Sequence, residues 1–201
     1  MTSDREGPAS PAPQSMETDD EWIGEHRIDE TTTVRFRHVR PDDAELIAEA
    51  IRTASPETIL HRFFTLIDGV PPRRLRGMLT IDRSREACIV GVMGDGDRTR
   101  IVCGARYIRG ESPDRAEIAV TVHDDVQHRG LGTFLLRTLS DLAHREGVRE
   151  FEAWVLPSNV AMLELLRKLF PDQQQHFEGE VVRVTAPLNQ NPAPESRPSG
   201  Q

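Results

Sequence analysis

The sequence is poor in cysteine, lysine and aromatic residues, and each shortage excludes something. Cys88 and Cys103 are its 2 cysteines in 201 residues, too few for a secreted disulfide scaffold and better suited to a reducing cytosol. No apolar run reaches bilayer-spanning length. Residues 1–20 are polar, interrupted by Pro8, Pro11 and Pro13, and hold no secretory signal. A cytoplasmic protein without membrane contact is the expectation. Lys168 is the single lysine, a bias read as genomic coding preference, of the kind a GC-rich genome leaves. His38, His61 and His144 form no ligand spacing with one another or with the cysteines, so no metal is expected.

The net charge of −8 is concentrated at one end. Residues 1–30 hold nine carboxylates against Arg5 and Arg27, a balance of −7 that leaves −1 for the remainder. The part that folds is close to neutral, and nucleic-acid binding gains no electrostatic support. With 37% hydrophobic and 29% charged residues, the composition is that of one globular domain with tails. Residues 1–29 and 188–201 read as the tails, acidic at one end and proline-rich at the other.

Between them the pattern alternates. Strands are expected over 33–39, 87–92, 100–108, 115–123, 149–155 and 180–187. Helices are expected from Pro41 to about Thr53, from the capping Ser55 to about Phe64, and from Pro71-Pro72 to about Leu79. Two more run over 131–146 and 159–170. Gly94-Asp95-Gly96-Asp97 signals a hairpin. A two-residue turn at Asp95-Gly96 would set Cys88 opposite Cys103 within disulfide range, although two reduced, buried thiols are the expected state. Phe63, Phe64, Trp154 and Met162 are read as core. Trp22 is a candidate to dock the tail.

The stretch Gln127-His128-Arg129-Gly130-Leu131-Gly132 carries the most chemistry. It follows the strand Glu117-Ile118-Ala119-Val120-Thr121-Val122 and opens a helix with Leu131, Leu135, Leu139 and Leu142 at helical spacing. A strand, a glycine turn and a helix start present free backbone N–H groups and the positive end of a helix dipole. Glycine lets an anion come close, so a phosphorylated ligand is expected here. A Rossmann fingerprint is a poor match, because Leu135 stands where its third glycine would be.

This order of elements resembles the GNAT superfamily of N-acetyltransferases over residues 32–187. Gln127, Gly130 and Gly132 match its pattern of glutamine or arginine, two variable residues, glycine, a variable residue, then glycine or alanine. The helix opening at Asn159 is a second match. The resemblance implies an α/β (α+β) GNAT fold, a mixed, mostly antiparallel sheet of six to seven strands flanked by helices. It also implies acetyl-CoA held at Val120, Thr121, Val122, Gln127, His128, Arg129, Gly130, Leu131, Gly132, Thr133 and Asn159. The glycine that relatives carry before Phe170 is missing. Ser55-Pro56-Glu57, Arg62-Phe63-Phe64, Ala105-Arg106-Tyr107 and Ala116-Glu117-Ile118 look like the catalytic domain of bacterial protein lysine acetyltransferases. Relatives of that branch often carry an acyl-CoA-synthetase-like or cyclic-nucleotide-binding domain, for which 201 residues leave no room. The allosteric control those domains give is then expected to be absent.

A lysine ammonium, with a reference pKa of about 10.4, must lose a proton before it attacks a thioester. Glu117 is the first candidate for the base, on the expectation that partial burial suits it to the task, and relatives of this branch use a glutamate there. The competing reading is an ion pair with Arg106 or Arg115. His123, Asp124, Asp125 and His128 are rivals. Backbone N–H groups around Val122 would receive the oxyanion. Many relatives place an acidic tyrosine where this chain has Leu166, so the thiolate leaves unaided or takes a proton from water. Tyr107 is expected in the core or the acceptor wall, and Arg129 and Arg137 could lend charge near the coenzyme phosphates.

Three functions fit: a protein lysine acetyltransferase, a small-amine acetyltransferase, or a non-catalytic acyl-CoA sensor. Either a monomer or a homodimer is compatible with the sequence.

Overall fold

A computed structural model describes residues 22–67, 69 and 71–188. Eight strands form one sheet in the order β1-β2-β3-β4-β5-β6-β8-β7. They are β1 (Trp22–Arg27), β2 (Thr33–His38), β3 (Glu86–Met93), β4 (Arg100–Arg109), β5 (Arg115–Val122), β6 (Glu150–Val155), β7 (Gln174–Glu178) and β8 (Val181–Pro187). The helices are α1 (Ala44–Thr53), α2 (Pro56–Phe63), α3 (Pro72–Leu79), α4 (Leu131–Arg145) and α5 (Val160–Leu169). Every pairing is antiparallel except β5 with β6.

Helices cover both sheet faces. Leu131, Leu135, Leu136 and Leu139 of α4 pack with Phe36, Ile89 and Tyr107 on one side. On the other, Ile47 of α1 and Leu79 of α3 meet Val90, Val92 and Ile101. Strand β3 is therefore buried on both faces, as a run of small and β-branched residues requires. Helix starts follow the local chemistry. Ser55 accepts a 3.1 Å hydrogen bond from the Thr58 amide, with Pro56 in the first turn.

The expected elements are present, with two added strands. Trp22–Arg27, assigned above to the acidic tail, pairs with β2 as an edge strand. Trp22 lies under the Arg35 guanidinium, 4.5 Å from it to the ring centroid. At the other edge β7 hairpins onto β8 through Gly179, whose φ of +65° suits a two-residue turn. Leu188, placed in the C-terminal tail, is buried, and its amide bonds the Arg149 carbonyl at 2.7 Å. Residues 1–21 and 189–201 of the expected tails lie outside the described residues.

The disulfide geometry is not formed. The β3–β4 connection holds a 3-10 turn at Gly96–Arg98, and the register shifts after Gly91. Cys88 therefore faces Arg106, while Cys103 faces Gly91, where any Cβ would lie 2.4 Å from its sulfur. Both thiols are free. Phe64 is the other correction: it ends α2 in a left-handed conformation and stands 45% exposed instead of in the core.

Candidate active site

Strands β5 and β6 pair over three rungs, Arg115↔Glu150, Ala116↔Phe151 and Glu117↔Glu152, and then part. β5 continues along β4 as far as Val122, so from Ile118 onward its other edge has no partner strand. The cleft that opens there widens into a cavity of about 570 Å³. Val120, Thr121, Val122, Gln127, His128, Gly130, Leu131, Gly132, Thr133 and Asn159 all line it. Among the residues expected to hold the coenzyme, Arg129 alone lies outside that lining.

The turn before α4 is shaped by two left-handed residues, His128 at φ 59° and Gly130 at φ 83°. They curl the chain so that amides gather at the start of α4, where no side chain caps them, an arrangement suited to phosphate. Gly132 has a packing reason as well, since a Cβ there would come within 2.9 Å of Leu165 in α5. His26 of β1 donates from Nε2 to the Arg129 carbonyl at 2.8 Å, fixing the turn from outside. That brace is illegible in the sequence, where β1 falls within the acidic segment. Arg129 itself points toward Asp29, 3.5 Å away.

Other predicted side chains hold the cleft's walls. Gln127 donates to the Val122 carbonyl at 3.1 Å and to the Thr58 hydroxyl at 3.2 Å, tying the turn to β5 and α2. Asn159 caps α5, accepting from the Met162 amide at 3.2 Å. Asp124 accepts from the Ser55 amide (2.8 Å), the Ser55 hydroxyl (2.6 Å) and the Thr58 hydroxyl (2.8 Å). Partial burial pushes its carboxyl up, but these hydrogen bonds together outweigh that and hold it below the usual carboxylate range. Asp125 sits between Arg100 and the His123 Nδ1, each at 2.7 Å. His123 reaches the Thr53 hydroxyl at 3.1 Å with its other nitrogen. The rivals Asp124, Asp125 and His123 are thus all engaged in structure.

Glu117 is not. Arg106 pairs with Glu86, and Arg115 with Glu150 at 2.8 Å, so neither expected partner reaches it. Its side chain is exposed rather than partly buried, and its cross-strand neighbour Ile108 is itself exposed. Residue 117 shares a sheet face with Ala119 and Thr121, and Thr121 lines the cleft.

Leu166 is fully buried beneath α5 and offers no proton. Tyr107 is buried in the core, and burial pushes its phenol up. Arg137 is exposed on α4. Sequence reasoning passed over His61, whose Nε2 is hydrogen-bonded to the Ser158 hydroxyl at 3.2 Å, joining α2 to the start of α5 across the cleft. Only the fold brings those two together. Among the described residues no cluster of His, Cys, Asp or Glu could hold a metal, and no helix is long and apolar enough to cross a membrane.

A mixed sheet with one parallel pair that parts over a glycine-turn anion site defines an acyltransferase fold that lays a coenzyme between two strands. The comparisons agree: residues 44–170 match the model of the acetyltransferase (GNAT) family, and the chain belongs to that family. It is 36% identical over 136 residues to the acetyltransferase Pat of Mycolicibacterium smegmatis, a match covering 67% of this chain and 40% of that protein. The chain therefore spans well under half of that relative's length. The GNAT domain of S. lividans PAT superposes with a TM-score of 0.69 at 27% identity, covering 77% of this chain and 90% of that one. YncA of Salmonella typhimurium, solved with acetyl-CoA, shares the fold at 21% identity, covering 81% and 98% of the two chains, with a TM-score of 0.58. The chain is thus a member of the acetyltransferase (GNAT) family, and one of its fold neighbours was solved with acetyl-CoA.

Proposed function

We propose that this protein transfers the acetyl group of acetyl-CoA directly to lysine ε-amino groups of other proteins, with Glu117 as general base. The observation that carries the reading is Glu117 itself, an ion-unpaired carboxylate on the last rung before the β5–β6 cleft. The relatives named Pat support acetyl transfer, and the class of acceptor rests on the resemblance of Ala116-Glu117-Ile118 and its companion segments to the protein lysine acetyltransferases.

The turn at Gln127–Gly132 and the start of α4 bind the diphosphate, with Asn159 at the opposite wall. An acceptor ammonium approaches from the Glu117 side and loses its proton to that carboxylate, directly or through a water. The free amine attacks the thioester carbonyl, and backbone N–H groups near Val122 receive the developing oxyanion. The C–S bond then breaks, the nitrogen gives its second proton to water, and the CoA thiolate leaves or takes a proton from water, since Leu166 cannot supply one. The 2 free thiols suit a reducing cytoplasm.

Glu152, beside Glu117, is already engaged by Arg183 at 3.5 Å. Those two carboxylates favour a cationic amine in general, which keeps a small polyamine as the second reading.

The test is acetyl-CoA with either a protein-extract pool or a small-amine panel, reading CoA thiol release and lysine acetylation. Release only with proteins supports the proposal, and release only with small amines moves the assignment to the second reading. Tight acetyl-CoA binding without turnover overturns both.

A further inference from the structure

A second cavity opens on the same sheet face as Glu117, between α1 and α2 above and β3, β4 and β5 below. It shares Thr58, Arg62 and Thr121 with the coenzyme cleft, so the two spaces meet at the strand expected to hold the thioester. Its wall is built largely from Ile47, Ile51, Ile59, Phe63, Val90 and Val102. An acetyl group has no carbon to put there.

The polar groups that border this space have other partners. His123 is held by Asp125 and Thr53, Arg106 by Glu86, and Thr58 donates to Asp124. The Arg62 guanidinium lies 5.3 Å over the ring of Phe63. Burial pushes the Cys88 thiol up to about 11 and that of Cys103 up to about 12, so both present neutral sulfur. A charged acceptor would find no free counter-charge here, whereas an alkyl chain would find an apolar wall.

We infer that this cavity takes the tail of the donor's acyl group, and that the enzyme accepts four- to six-carbon acyl-CoA thioesters besides acetyl-CoA. The volume sets the length. It is about 110 Å³, against about 150 Å³ for an apolar cavity that admits the six carbons of benzene. By proportion it holds about four carbons beyond the carbonyl end. The reaction is the one proposed above, on which this inference rests. An amide bond forms to the acyl carbonyl carbon, the thioester C–S bond breaks and the sulfur leaves as thiolate. Of the two protons the ammonium loses, one goes to Glu117 and the second to water.

The experiment measures kcat/KM for acetyl-, butyryl-, hexanoyl- and decanoyl-CoA with one acceptor, and the Kd of each by calorimetry without acceptor. Butyryl- or hexanoyl-CoA should bind about tenfold tighter than acetyl-CoA, at the low end of what added methylenes gain in an apolar pocket. Decanoyl-CoA should fall off. Ala50→Leu, or Ala54→Leu should the first fail to fold, fills the cavity from α1 and its end. Either should abolish the gain for butyryl- and hexanoyl-CoA while leaving acetyl transfer unchanged. Acetyl turnover with Kd and kcat/KM worsening steadily from two carbons upward would overturn the inference and leave the proposed function standing. A chain-length optimum in Kd with no turnover of any donor would overturn the proposed function and the donor range with it, leaving only a cavity that binds an acyl tail.

Discussion

Glu117 of β5 and Glu152 of β6 face each other across the last rung that the two strands share. Strand β5 is held by β4 for five more residues, to Val122, whereas β6 diverges from it while staying paired with β8 to Val155. One relationship thus creates both halves of the site. The parting of the strands exposes backbone for a coenzyme, and the rung at its base presents a carboxylate. Arg183 lies near Glu152 at 3.5 Å and also reaches Glu178 at 2.7 Å. Glu117 is left without an ion-pair partner among the described residues.

Arg37 and Asp43 anchor the opposite part of the fold. Their side chains are only 5% and 3% exposed and meet in two 2.7 Å hydrogen bonds. Asp43 also accepts the Arg40 amide at 2.8 Å, which sets the entry to α1. Asp43→Ala leaves a guanidinium buried without its counter-ion, a loss of about 3–5 kcal/mol. Thermal unfolding should show a Tm lower by on the order of 10 °C. A shift under 2–3 °C, roughly the size of a surface change, would mean that Arg37 finds water or another partner.

Asp124 makes stability depend on acid. Its carboxyl is depressed below 3.8 in the folded state, so its contribution is complete above the unfolded-state value. That contribution is lost as pH falls through the lower, folded-state value. Asp124→Ala should cost about 1–2 kcal/mol at pH 7, a figure reduced for solvent screening. The gap from the native protein should close below pH 3.8. Urea unfolding across pH 2–7 measures it, and a gap independent of pH would show that the clamp does not act through charge.

Much of this is legible in the sequence, and what is not has several physical causes. The glycine turn, α4 and the Asn159 cap carry strong local signals, because Gly130 needs a positive φ and α4 buries a leucine stripe. The strands 86–93 and 115–122 declared themselves through buried residues. Edge strands β1 and β7 did not, since Gln174–Glu178 has no buried face to imprint a period of two. The Cys88–Cys103 register failed because the connection is longer than two residues, with a 3-10 turn at Gly96–Arg98, and the pairing slips once more between Gly91 and Val92. The type and position of Glu117 are legible in the sequence, but its exposure depends on how far helices extend over the sheet, which no local pattern records. His61 and Ser158 stand 97 positions apart, and only the closed fold makes them neighbours.

The two thiols should be inert in the native protein. With Cys88 pushed up to about 11 and Cys103 up to about 12 by burial, almost no thiolate is present at pH 8. Iodoacetamide labelling followed by mass spectrometry should run at least about a hundredfold slower than in urea. Labelling of Cys88 at the denatured rate would mean that the apolar cavity it lines opens freely to water.

The most direct test replaces Glu117 by glutamine and measures single-turnover acetyl transfer to a lysine-bearing protein acceptor, alongside the Kd for acetyl-CoA. Because Lys168 is the single lysine of the chain, self-acetylation of side chains is confined to one position in the spectra. The proposed mechanism predicts a rate lower by about 10²–10⁴-fold with unchanged acetyl-CoA binding. An unchanged rate would remove Glu117 from the reaction and contradict the mechanism built on it.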